Sequence, residues 1–253
     1  ISGSGSLNAS GGEVNANSYG IYSDMVTIES GTVMAAGGRS ESMGVSAGIY
    51  SADLTINGGN VFAIVGRTSG EGAFGILAAG DVTVTGGTVR AMGSDIYIVD
   101  GVAPEYSSGI HSIGGDVTIT GGAVQANGGA VEKYEGCQSY GVSAQSDGDE
   151  GGNIIISGGS FEAAGFTNGI YGNLIASPAR DGQIEMSTYD QFVYPSEEDP
   201  VDWEAMSAAA VTIDGSPFTT QTTVDKASVE GKLYFKSTGT TVAPDPDPDP
   251  DPD

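Results

Sequence analysis

A single phrase recurs along most of this chain: Gly-Ile, then Asp-hydrophobic-Thr-hydrophobic, then Gly-Gly, then Val-x-Ala. The clearest copies are GIYSADLTINGGNVFA (48–63), GILAAGDVTVTGGTVRA (75–91) and GIHSIGGDVTITGGAVQA (109–126). Looser copies read GIYSDMVTIESGTVMA (20–35) and GVSAQSDGDEGGNIIISGGSFEA (141–163). Self-similarity of this kind marks a repeat architecture, in which each copy is one supersecondary unit that buries its apolar side only against its neighbours.

Apolar and polar residues alternate within each copy over three to five positions, and no stretch carries an apolar stripe at helical spacing. Each copy therefore reads as about three short strands. Ile21, Ile49, Ile76, Ile110, Val142 and Ile170 are equivalent, and their separations suit one coil of a β-solenoid plus loops of varying length. The expected fold is all-β, a right-handed parallel β-helix (β-solenoid) with a small C-terminal β cap. Ile49, Leu54, Ile56, Val61 and Ala63, with their equivalents, are expected to point inward, and Ala in the last slot suggests a tight corner. Gly-Gly pairs at 58–59, 86–87, 121–122 and 158–159 fall where the chain must bend, since glycine takes positive φ without a Cβ clash.

The expected organisation is a parallel β-helix of about six coils over 1–185, a β-rich cap over 186–243 and a Pro-Asp spacer over 244–253. Within the cap segment, AVTIDG (210–215), FTTQTTV (218–224) and KLYFKS (232–237) alternate like strands and follow the acidic stretch SEEDPVDWEA (196–205). A last coil would otherwise leave an unpaired edge and a raw apolar end. Trp203 serves there either as packing or as a ligand platform. The terminal PDPDPDPDPD blocks helix and ladder hydrogen bonds and extends at roughly 3.1 Å per residue. Such spacers resemble those that hold domains away from the envelope in Gram-positive surface proteins. An ordinary interdomain linker is the alternative, and either implies a region after residue 253. The chain opens mid-pattern with SLNASGGEVNA (6–16), without a signal peptide, as a mature piece of a longer protein would.

Charge narrows the partners. Lys and Arg number 8 against 33 Asp and Glu, a formal net charge of −25, so nucleic acid and anionic membranes repel this chain. No run of apolar residues reaches the length of a membrane span, and none is expected to insert. Cys137 is the only cysteine, which rules out an intrachain disulfide or a thiolate cluster and reads as an unreactive loop thiol. A monomer in an extracellular setting is the expected state.

One histidine cannot build a His-based triad set or a multi-His zinc site, and no GxSxG, HExxH or P-loop is present. His111 falls in the outward slot after Ile110 and reads as a surface substitution. Carboxylate pairs are abundant in so acidic a chain, so their presence alone does not indicate glycoside hydrolysis. Arg39, Arg67, Arg90 and Arg180 are scattered, unlike the clustered catalytic groups of pectin-cleaving enzymes that share the parallel β-helix. No catalytic residue is assigned.

Three outward columns remain. Asp53, Asp81 and Asp116, with Asn153 in register and Asp24 one place earlier, are either calcium ligands or partners of turn amides. The acidic loop SDGDEGG (146–152) is the better isolated calcium candidate, through Asp147, Asp149 and Glu150, and calcium is the one cofactor considered. Thr27, Thr55, Thr83 and Thr118 form a column whose neighbour is broken by Glu29, Asn57 and Ser157, which favours a β-propensity ladder over an ice-binding array. The third column, Tyr22, Tyr50, His111 and Tyr171, would stack at about 4.8 Å per coil, and rings in a row can lie against sugar rings. The same rings could instead only stabilise the ladder. Insertions at 37–47, 66–73, 93–107 and 128–139 all leave one edge beside this column and carry Tyr97, Tyr106 and Tyr134 among polar groups.

The GIx…DLTINGG…V-x-A phrase, over roughly 6–173, resembles that of clostridial and related gut-bacterial surface proteins with a right-handed, pectate-lyase-like parallel β-helix carbohydrate-binding domain. The resemblance implies extracellular display on the bacterial surface or cell wall, adhesion or polysaccharide binding, and in some members calcium. The expected protein is noncatalytic and binds a glycan or a ligand on a host or neighbouring cell. A structural stalk or protein-binding adhesin is the competing class, and a polysaccharide lyase or hydrolase is a third.

Overall fold

In the computed structural model, the described residues are 1–14, 16–40, 44–66, 68, 70–95, 105–129, 136–145, 152–178, 183–189, 210–211, 220–224 and 226–240. Alternation makes each repeat three strands. First strands are Gly72–Ala78, Tyr106–Ser112, Gln138–Ala144 and Asn168–Tyr171; second strands are Val82–Val84, Val117–Ile119, Asn153–Ile156 and Asn173–Ala176. In the two earliest repeats these merge into long strands, Ser18–Ile28 and Val45–Ile56. Third strands are Ser6–Ser10, Thr32–Gly37, Asn60–Val65, Thr88–Met92, Ala123–Asn127 and Ser160–Ala164.

Every strand of one repeat pairs in parallel with its equivalent in the next. The six branched residues align in turn: Ile21 with Ile49, Ile49 with Ile76, Ile76 with Ile110, Ile110 with Val142 and Val142 with Ile170. The pairings collect into a sheet of third strands and a second sheet of first and second strands. The described residues are thus all-β, with parallel strands through the repeats, apart from the single-turn helix Lys226–Val229. No helix among the described residues is long and apolar enough to cross a membrane.

The inward residues read from the sequence do form the core. Ile49, Leu54, Ile56, Val61 and Ala63 and their equivalents Ile110, Val117, Ile119, Val124 and Ala126 are all buried in one cluster. Burying each large aliphatic side chain is worth roughly 2 kcal/mol.

Two glycine roles emerge that alternation does not reveal. At the Gly-Gly bends only the second glycine has positive φ, +84° at Gly59 and +79° at Gly122. The first is needed for a different reason: a Cβ at Gly86 would sit 2.6 Å from the Asn57 carbonyl oxygen of the repeat below. The glycine before each branched residue matters more. A Cβ on Gly75 would lie 2.4 Å from the Met92 amide nitrogen, and one on Gly109 would lie 2.7 Å from the Ala91 carbonyl oxygen. First and third strands therefore touch backbone to backbone along a seam of glycine facing alanine. The invariably small last-slot residue reflects that close approach rather than a tight corner.

Serines fasten the connections that leave the third strands. Ser18, Ser46, Ser107 and Ser139 each donate a hydroxyl hydrogen bond to a carbonyl of the connection, at 2.6–2.8 Å. Ser18, Ser107 and Ser139 also accept an amide, from Gly38, Gly129 and Phe166.

At the C-terminal end pairing turns antiparallel. Tyr234–Thr240 lies against Ser160–Ala164 and Gln183–Tyr189, and Thr222–Val224 lies against Asn173–Ala176. Phe235, Ile184, Met186 and Val229 are buried over the last repeat, with the Phe235 ring 5.6 Å from that of Phe161. Trp203, the acidic stretch 196–205 and the Pro-Asp segment 244–253 lie outside the described residues.

Candidate functional site: an aromatic outer face

The column expected from the repeat is in register. Tyr22 pairs with Tyr50, Tyr50 with Leu77, Leu77 with His111, His111 with Ser143 and Ser143 with Tyr171. A second column, unread in the sequence, stands three residues earlier: Tyr19, Ala47, Phe74, Ser108, Tyr140 and Asn168. Strict alternation would put residues three apart on opposite faces. The Gly-Ile step between them bends each strand instead, and both columns project to one outer face. Tyr19 and Tyr22 demonstrate it with ring centroids 5.4 Å apart. The signal was present as an aromatic-Gly-hydrophobic triplet in Tyr19-Gly20-Ile21, Phe74-Gly75-Ile76 and Tyr140-Gly141-Val142.

The rings pair on a diagonal, the earlier column of one repeat against the later column of the next. Tyr19 lies 5.0 Å from Tyr50, Phe74 lies 4.9 Å from His111 and Tyr140 lies 4.8 Å from Tyr171. Tyr22 also stacks on Tyr50, at 5.2 Å and within 7° of parallel.

Exposure along this face is uneven. Tyr22 is 64% exposed, while Tyr50 and Tyr171 are partly buried. Among the described residues, the strand of Tyr22 pairs with that of Tyr50 alone. The middle of the column is closed: Leu77, His111 and Ser143 are buried, as are Phe74, Ser108 and Tyr140. Burial pushes the Tyr140 hydroxyl upward, with Tyr171 close by, and pushes Tyr19 upward with help from Tyr50 and Tyr22. The Tyr140 hydroxyl donates to the Gln138 side-chain oxygen. Lys226 from the short helix donates to the Tyr171 hydroxyl at 2.5 Å and lies 3.8 Å over its ring.

His111 is not the surface residue its slot suggested. It is 6% exposed, packs on Phe74 and Tyr106, and its Nδ1 has no hydrogen-bond partner among the described residues. Burial without a counter-charge pushes its pKa down to about 4.

The chain matches no protein-family model, no curated protein and no solved structure.

Of the loop aromatics, Tyr106 opens a first strand and is partly buried, with its centroid 6.3 Å from that of His111. Tyr97 and Tyr134 lie outside the described residues, as do the calcium candidates Asp147, Asp149 and Glu150. The Asp column has a structural occupation. Asp53 Oδ1 accepts the Asp81 amide at 3.0 Å, Asp81 Oδ1 accepts that of Asp116 at 2.9 Å, and Asp116 Oδ1 accepts that of Asn153 at 2.8 Å. Each carboxylate thereby fastens the next repeat, which accounts for the column without an ion. Among the described residues no three His, Cys, Asp or Glu side chains group as a metal site. The Thr column is a cross-strand ladder, Thr27 on Thr55, Thr55 on Thr83 and Thr83 on Thr118. Cys137 is partly buried, and burial together with the Glu105 carboxylate raises its thiol above the ordinary range.

Proposed function

We propose that this chain is a right-handed parallel β-helix displayed on a bacterial surface, noncatalytic, and that it binds a glycan on the outer face of its first strands. In-register parallel pairing of successive repeats supports the helix, and parallel crossovers are right-handed in nearly all known cases. The observation that carries the binding reading is the cluster of Tyr19, Tyr22 and Tyr50, three rings within 5.0–5.4 Å of one another and ending on the exposed Tyr22. Tyrosine offers a sugar an apolar ring surface beside a hydroxyl, and rings already stacked lose little freedom on binding. No cofactor is required for such a role. The formal net charge of −25 favours uncharged partners over anionic ones.

A protein-binding adhesin or stalk has its own support. The outer face of the third strands carries Met34, Ile64 and Met92, each at least 39% exposed, on neighbouring strands. Ile64 and Met92 are in register and Met34 stands two positions earlier on the adjoining strand, and exposed apolar groups so close together suit a protein surface. A glycan array separates the two readings. Retention of at least one glycan by the wild-type chain and its loss in Tyr22→Ala is the expected result; no retained glycan would sink the carbohydrate reading.

A further inference from the structure

The diagonal pairing on the outer face lacks rings at two steps, one filled by apolar side chains and one by serines. Successive diagonals are Tyr19/Tyr50, Ala47/Leu77, Phe74/His111, Ser108/Ser143 and Tyr140/Tyr171. Two serines thus occupy the step between two ring pairs. Strand spacing puts those ring pairs about 9.6 Å apart, enough for one further ring at van der Waals distance from each.

The floor of that step is chemically unfinished. Ser108 Oγ, Ser143 Oγ and His111 Nδ1 are all buried, and none has a hydrogen-bond partner among the described residues. The three residues sit on two adjacent paired strands, with His111 directly opposite Ser143. A buried polar atom without a partner loses about 1–3 kcal/mol of hydration, and a cluster of them points to water or a ligand group.

We propose that the slot between the Phe74/His111 and Tyr140/Tyr171 pairs is a second subsite, taking one uncharged pyranose ring whose hydroxyls bond to Ser108, His111 and Ser143. The inference rests on the glycan reading of this face and adds a position and a substrate class to it. Two ring pairs supply apolar walls, and hydroxyl and imidazole groups supply neutral donors and acceptors, the combination that a sugar ring presents in complement. A uronate is disfavoured. Its carboxylate would meet no free cation among the described residues that line the slot: His111 is neutral near pH 7, and Lys226 is engaged with Tyr171. Tyr106, 6.3 Å from His111, borders the slot on the side of the connecting loops. Because Ser108 and Ser143 are fully buried, entry requires the covering groups to part.

The test uses the chain's sole histidine as its own reporter. Long-range proton–nitrogen NMR spectra give one imidazole, and the titrants are cellohexaose, mannohexaose and xylohexaose, with hexagalacturonate as the charged comparison. The expected result is saturable movement of the His111 signals by at least one neutral hexasaccharide and none by hexagalacturonate. Ser143→Tyr, which completes the ring ladder and fills the slot, should abolish that movement. Ser108→Ala should weaken it at least about fivefold, and it remains decisive should Ser143→Tyr fail to fold. His111 signals that no neutral sugar moves, whether because ordered water alone fills the slot or because the slot stays shut, would overturn the proposal, as would equal movement in Ser143→Tyr. Array retention that depends on Tyr22 while His111 stays silent removes the slot but leaves the outer-face reading intact; no retention at all removes both.

Discussion

Acid should unfold this chain partly through one imidazole. In the folded chain His111 sits against Phe74 and Tyr106 with no carboxylate among its described ring contacts, and burial holds its pKa near about 4. In the unfolded chain it returns to about 6.5. Above that value both states are neutral and the histidine contributes nothing to the pH dependence. Between the two values the unfolded chain binds a proton that the folded chain refuses, so stability falls as pH falls. Below the folded value both are protonated and the loss stops growing. A separation of about 2.5 units corresponds to about 3 kcal/mol in all. The many carboxylates titrate over the same range, so the assay is a difference. Urea denaturation of wild type and of His111→Leu, which copies Leu77 in the preceding repeat, should be compared from pH 7.5 to pH 4. His111→Leu should be as stable as wild type or more so at pH 7.5, because it removes an unpartnered nitrogen, and the gap should widen by about 3 kcal/mol at pH 4. Stability curves that run parallel across the whole range would refute the argument, as would a His111 NMR titration with its midpoint near 6.5.

Three further outcomes are expected. Gly109→Ala should lose roughly 2–3 kcal/mol in chemical denaturation, because its Cβ would lie 2.4 Å from the Asn127 amide nitrogen, whereas Gly12→Ala, with nothing within 4 Å, should be close to neutral. Asp81→Ala should cost about 1 kcal/mol by leaving the Asp116 amide without its carboxylate, Asp81→Asn should recover most of it, and the loss measured by thermal melting should be the same with and without calcium. Lys226→Ala should loosen the cap by about 1 kcal/mol, seen as faster amide exchange within Tyr234–Thr240 while Val117–Ile119 keeps its protection.

The repeated phrase made the stacking legible down to the residue. Ile21, Ile49, Ile76, Ile110, Val142 and Ile170 could be aligned by eye, and each pairs with the next, because an inward branched side chain has one acceptable place in a repeat. Two features were not legible, for one reason. Counting by twos assumes a straight strand, and the glycine that precedes each branched residue bends it. The bend presses Gly75 and Gly109 onto the third strands, which explains the alanine column, and it swings Tyr19, Phe74 and Tyr140 onto the face of Tyr22, His111 and Tyr171. The crowding on that face then buries His111, whose slot alone suggested exposure. Side chains in the connecting loops depend on contacts that no repeat dictates, so Tyr106 could be named but not placed against His111.

The aspartate ladder also bears on how such a chain changes its length over generations. Asp53 fastens Asp81 and Asp81 fastens Asp116, so each repeat gives a carboxylate to the next and receives one from the last. Removing the 28 residues that separate Asp53 from Asp81 puts one aspartate where the other stood, with the same partner above and the same neighbour below. Unequal exchange between gene segments that encode adjacent repeats can therefore shorten or lengthen the array in whole units and leave every internal bond of the ladder intact. The number of repeats is then free to drift under selection, while the outer residues that depart from the pattern stay tied to the few repeats that carry them.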